Sequence, residues 1–414
     1  MRKLSILATV ALASQLAAPA QGIKNAGPLE DIQALLEGRA TAILAGDREA
    51  FLTTIDRGSP DFLRRQSHLF DGFQTLGLSE YRLDIGRRLW PELTTDREVD
   101  RYGAALQPRV LHVEERYSLE GYDEQPAVED LFLTFVQRPG GWRVASDTDL
   151  DDLTLFSGRK LWEFEPVAAR ESEHFLYVSH RSLLWAADTV LEAAENALER
   201  VSEDWPLAWS EKVVILAPST TEELGRLIQA TFDLDVFVAF AASGVDRTAD
   251  WDLAGHRILF NWPRFSQYDQ VTRESVLTHE LLHVATREDS GPLVPIFVEE
   301  GVAEWITGHD GASVLAGRVQ TGMFDRLLPL DHEFISGSDA VILSAYQESS
   351  AAVRYAAGQF GADAIARFYR ELGSVRRSSG TWRYHVDRAM RVAFGVGFEE
   401  FQRRWAKWVE NTLD

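Results

Sequence analysis

The spacing of apolar positions changes character along the chain. From about residue 29 to residue 57 it is helical, with Ile32, Leu35, Leu36, Ala40, Ile43, Leu44, Phe51 and Leu52 recurring on one side. From about 80 to 146 the period shortens to that of strands. Val110, His112 and Glu114 alternate with Leu111, Val113 and Glu115, and the run Leu131–Val136 follows. Pro139-Gly140-Gly141 then turns the chain into Trp142-Arg143-Val144-Ala145, a hairpin signal. Helical spacing returns at about 181–203. Lys212–Leu216 and Arg257–Asn261 read as extended segments, and from about 268 onwards the pattern is helical nearly throughout. The predicted fold class is α+β: helices and a curved sheet over residues 29–150, then a mostly helical domain with a small sheet over 155–414. The acidic stretch Asp147–Asp152 is the expected boundary.

The first twenty residues follow a different rule. Leu4–Ala18 is an apolar run behind Arg2 and Lys3, too short to span a bilayer, and Ala18-Pro19-Ala20 offers a small-residue cleavage site. This predicts a signal peptide over 1–20 and a secreted or periplasmic bacterial protein. No later run approaches twenty apolar residues, so no membrane anchor is expected. The chain has no cysteine, which excludes disulfides and a lipid attached through one, and no asparagine begins an Asn-x-Ser/Thr acceptor. A formal net charge of -22 repels phosphate backbones and anionic lipid, so nucleic acid is not an expected partner.

The chemistry concentrates in His279-Glu280-Leu281-Leu282-His283. The motif sits in a run from Val271 to Ala285 that no proline or glycine breaks. Residues four apart share a helix face, so both imidazoles can address one ion, and imidazole nitrogen suits zinc. Glu280, one position off that face, is placed to contact a water without filling a coordination position. A third ligand must come from elsewhere, and two candidates follow. Glu300 lies in Phe297–Trp305, which reads as a second helix ending at Gly308. Asp289 lies six residues after His283, where a glycine midway would be needed to turn the chain back; Thr286 stands there. Glu300 is the preferred ligand. Glu304, on the same face one turn on, is the expected hydrogen-bond partner of a ligand histidine. Glu299 reads as a solvated helix residue. His174, His180, His256, His309, His332 and His385 lack ligand spacing and read as surface or capping residues.

Together, His279-Glu280-x-x-His283 and Glu300-Gly301-x-Ala303-Glu304-Trp305 resemble the glutamate zincins (gluzincins). The likeness is greatest to bacterial peptidase-MA-like domains related to the zinc aminopeptidases and leukotriene hydrolase, over about residues 155–414. That resemblance implies Zn2+ as cofactor, a peptide or protein as substrate, and Glu280 as general base. It extends to Ser344–Ser349, where it implies that Tyr346, just before a helix, hydrogen-bonds the oxyanion of the reaction. Phe398–Val409 matches the family's closing amphipathic helix. The aminopeptidases' Gly-x-Met-Glu-Asn strand is missing, but Arg257–Asn261 is expected to offer its edge to an extended peptide. Residues 29–147, with Gly46-Asp47 after the helix and Gly-Gly-Trp-Arg-Val late, resemble the cone-shaped nuclear-transport-factor-two-like (NTF2-like) domains, which implies an accessory role. The alternative is a non-catalytic, zinc-containing scaffold or ligand-binding envelope protein.

Overall fold

The structure is a computed structural model and describes residues 27–86, 92–231, 233–235, 237–246, 252–291, 293–308, 312–335, 338–375 and 381–413. The expected signal segment and His309 lie outside these residues.

Three helices open the chain. α1 (Gly27–Leu44) buries Ile32, Leu36, Ala40 and Ile43, a stripe at the helical repeat. α2 (Arg48–Thr53) is capped by Asp47, whose carboxylate accepts from the Ala50 amide at 2.9 Å. α3 (Pro60–Leu76) begins with a proline in its first turn and buries Phe62, Leu69, Phe70 and Phe73. A curled antiparallel meander follows: β1 (Leu78–Ile85), then past α4 (Asp96–Tyr102), β2 (Arg109–Leu119), β3 (Ala127–Arg138) and β4 (Gly141–Ser146), paired in that order. Gln33 ties α1 to this sheet, donating to Leu83 O at 3.1 Å and accepting from the Ile85 amide at 3.0 Å. α5 (Leu161–Phe164) closes the half by placing Trp162 against Phe73, ring centroids 5.3 Å apart.

The acidic stretch expected to mark the boundary is not a solvated linker. Asp147 is buried and pairs with Arg65 and Arg159, while Asp149 is buried and accepts from Thr134 at 2.7 Å and Ser146 at 2.9 Å. Asp149 fastens the chain to the sheet it has just left, and Asp147 ties it to α3 through Arg65, which lies 82 residues earlier.

A second sheet is built from β5 (Val167–Glu171), β6 (Phe175–His180), β7 (Val213–Ala217), β8 (Ala239–Asp246) and β9 (Asp252–Phe260), in the order β5-β6-β7-β9-β8. β6, β7 and β9 run parallel, and α6 (Ala187–Asp204) makes the crossover from β6 to β7 that parallel pairing requires. α7 (Thr221–Leu227) lies between β7 and β8. The wholly buried runs Phe175–His180 and Val213–Ala217 have the continuous apolar character of strands covered on both faces. β9 was expected to offer an open edge. Instead it pairs with β7 on one side and β8 on the other, so β8 holds the edge position. The remainder is helical: α8 (Trp262–Phe265), α9 (Gln270–Ala285), α10 (Ile296–Ile306), α11 (Ala312–Gln320), α12 (His332–Ile335), α13 (Asp339–Phe360), α14 (Ala362–Gly373), α15 (Trp382–Phe394) and α16 (Phe398–Leu413). None of the described helices is long and apolar enough to cross a membrane.

The two sheets meet closely. A Cβ on Gly244 would stand 2.2 Å from the Val128 carbonyl oxygen, and one on Gly255, at φ +65, 2.3 Å from the Ala127 Cβ. Beside this contact Arg257 grips Asp123 with two hydrogen bonds, at 2.6 and 2.7 Å.

Candidate metal centre

Asp269 starts α9 by accepting from the Thr272 amide at 2.9 Å, and the helix is buried without a break from Val276 to Ala285. α6, α10 and β8 pack around it. His279 and His283 therefore share an inward face, with ring centroids 4.8 Å apart. α10 brings Glu300 to the same point. His279 Nε2 lies 3.1 Å from Glu300 Oε2 and 3.1 Å from His283 Nε2, and the His283–Glu300 separation is 3.7 Å. One donor atom from each of the three converges on a common centre, and all three residues are buried.

Gly301 admits a third helix to this centre. A Cβ there would stand 2.6 Å from the Ser349 carbonyl oxygen and 2.8 Å from Val353 Cγ2, so any side chain would push α13 away from α10. With α13 comes Tyr346, whose hydroxyl donates to Glu300 and whose ring packs 5.4 Å from that of Phe334. The resemblance placed this tyrosine just before a helix. It lies inside α13, because no proline interrupts the run Asp339–Phe360.

Two further carboxylates complete the cluster. Glu304 Oε1 is 3.2 Å from His279 Nδ1, a contact that holds the ring with Nε2 turned towards Glu300. Glu280 is buried, and its Oε1 has no partner among the described residues; the same is true of Glu300 Oε1. Orphaned carboxylate oxygens in a dry site are costly, and one of the two belongs to Glu300, whose carboxylate meets the ring nitrogens.

The charges respond to one another. Burial pulls the His279 imidazole down, but its bonds to Glu300 and Glu304 outweigh that and hold it well above the ordinary value of 6.5. Burial pushes Glu300 up, yet the two histidines bring it below the usual carboxylate value. Burial, then the Glu300, Glu304 and Glu280 carboxylates, keep the Tyr346 hydroxyl protonated far above 10.0.

The other sequence candidates go elsewhere. Asp289 stands outside the cluster and pairs with Arg370 at 3.1 Å. Glu299 is not solvated as expected. It is buried and accepts from Ser290 Oγ at 2.8 Å and the Tyr369 hydroxyl at 3.3 Å, and burial raises its carboxyl. Its helix position beside Glu300 carried no sign of this, because the burying partner comes from α14. His180, read as a surface or capping residue, is buried 3.3 Å from Glu223 at the N-cap position of the short turn Arg181–Ala186, with no side-chain cap bond, and His256 is half-buried on Ser243 at 2.7 Å. His174 pairs with Glu195 at 2.7 Å.

Fold and site together define an α+β protein with a buried His-His-Glu cluster of metal-ligand type. Compared with family models and with curated proteins, the chain matches none.

Proposed function

We propose that the protein is an exported zinc metallopeptidase, with His279, His283 and Glu300 as metal ligands and Glu280 as general base. The convergence of three donor atoms, separated by 3.1, 3.1 and 3.7 Å, carries this reading. Ligands at about 2.05 Å on a tetrahedral zinc stand about 3.3 Å from one another. The three side chains therefore need little movement to hold one ion. Two imidazoles and a carboxylate suit zinc and leave a fourth position for water or substrate. The basic and apolar pattern of residues 2–18 supports export.

Zinc, when bound, supplies Lewis acidity at a peptide carbonyl. Glu280 takes a proton from the attacking water and delivers it to the amine as the C–N bond breaks, a role that its unpartnered Oε1 supports. The Tyr346 hydroxyl, kept protonated by burial, donates to the oxyanion, an effect typically worth about 3 kcal/mol. Glu304 holds the His279 tautomer.

Digestion of a broad peptide library tests the proposal. Cleavage is expected, lost with phenanthroline and restored by added zinc. One observation favours the scaffold instead: His279, Glu280, His283, Glu300 and Tyr346 are all between 0% and 4% exposed. Stoichiometric zinc with no cleavage of any peptide would establish that alternative. A scaffold, however, needs neither Glu280 nor Tyr346.

Proton competition gives a second check. His279 is raised in the folded, metal-free protein, so the stability it confers is complete below the unfolded value of about 6.5 and lost as pH rises through the folded value. A metal must displace that proton. Raising the pH above about 6.5 should therefore weaken the metal-free protein in urea while tightening zinc binding by competition titration. Zinc affinity that is flat with pH contradicts the assignment of His279.

A further inference from the structure

A cavity of about 380 Å3 opens where the two halves of the molecule meet, walled by the β2–β3 turn, the lead-in to β7, the bend of β9 and the residues that follow α9. None of the metal-ligating residues lines it. Of its charges, Asp123 is already held by Arg257, which reaches it with two hydrogen bonds.

Arg287 does not fit that pattern. It lines the cavity and is 4% exposed. Its Nη2 donates to the Ala241 carbonyl at 3.0 Å, its Nε has no partner, and no carboxylate among the described residues is within ion-pair distance. Arg287 acts on the buried Glu299 carboxylate only from beyond ion-pair distance, so its unpaired Nε at the cavity leaves room for an anion from outside. His256, in the same wall, is lowered to about 3 by burial, then by Arg287 and Arg257 against the opposing pull of Asp123, so it adds no charge of its own. Lys212 adds a second cation at the exposed rim, and Glu124 and Glu288 stand there too, all three in no ion pair among the described residues.

We propose that this cavity binds a small zwitterion, an α-amino acid or short peptide, with its carboxylate on Arg287 and its ammonium group at the rim carboxylates Glu124 and Glu288. Charges of both signs that make no ion pair among the described residues stand around one cavity and match a ligand that carries both, and the volume lies in the range of small-molecule sites. The site stands whether or not the metal centre is catalytic.

Calorimetric titration of the full chain with glycylglycine, acetate, methylamine and inorganic phosphate tests it, on protein treated with a chelator so that the metal centre contributes nothing. Glycylglycine should bind, with acetate weaker by about tenfold and methylamine undetectable. Glu288→Gln, an exposed change that leaves the core alone, should weaken glycylglycine and leave acetate unchanged. Arg287→Met should abolish both while the variant still folds, read from a cooperative melting curve, because the guanidinium makes one hydrogen bond, to Ala241, and no ion pair among the described residues. Absence of heat with glycylglycine, phosphate binding as tight as glycylglycine, or an Arg287→Met variant that folds and still binds each overturns the proposal.

Discussion

Glu280→Gln is expected to keep its zinc and lose hydrolysis. Glutamine has the shape of glutamate, so α9 and the ligand histidines should stay in place; what disappears is the ability to take a proton from water. Positioned general bases contribute roughly 10²–10⁴-fold, and a drop of that size in peptide turnover is expected at unchanged metal content. The burial of Glu280 sharpens the expectation. Its Oε1 has no partner among the described residues, so no structural hydrogen bond on that oxygen is forfeited by the exchange. Turnover equal to wild type would remove Glu280 from the mechanism. A loss of metal along with activity would mean that the residue holds the site together instead.

Lys160→Met should destabilise the protein by about 3–5 kcal/mol, read as a lowered urea midpoint at neutral pH. Lys160 is 3% exposed; its ammonium pairs with Glu115, which is 1% exposed, and lies 3.0 Å from Glu129. Tyr81 also donates to Glu115 at 2.6 Å. Without the lysine, the two carboxylates lose the cation they share at ion-pair distance, and the buried Arg39 acts on Glu115 only from farther off. Burial already raises Glu129 above the usual carboxylate value, and the substitution raises it further. A carboxyl raised in the folded state is most harmful above that raised value and relaxes as it gains a proton, so the deficit should shrink on acidification. Adding Glu115→Leu should recover part of the loss, since it removes the more deeply buried of the two carboxylates that the lysine held, leaving Glu129 and the Tyr81 hydroxyl to account for the rest. A midpoint within error of wild type would show that the cluster is wetter than its burial indicates.

The parts of this molecule that were legible in the sequence are those governed by local rules. α9 follows from an unbroken amphipathic run, and its two histidines need only the helical repeat to share a face. Glu300 is 21 residues from His279, and its approach was readable because Phe297–Trp305 reads as a second helix that can pack against the first. Elsewhere the deciding contact is remote. β5 and β6 were missed although Phe175–Val178 is strongly β-forming, because the helical pattern after it dominated the segment. β8, with Ala239, Ala241, Ala242 and Gly244, has little strand propensity, and pairing with β9 makes it a strand. Glu299 and the place of Tyr346 relative to its helix were misjudged for the same reason. Tyr369 and the continuity of α13 decide their positions.

The measurement that bears most directly on the central claim is zinc content per chain in purified wild type, His283→Ala and Glu300→Gln, determined in parallel after exhaustive dialysis. One zinc ion per wild-type chain, with loss in both variants while their folded helical signal persists, is the predicted result. Wild-type protein that retains no zinc, or variants that hold as much as wild type, would show that these side chains meet for some purpose other than binding a metal.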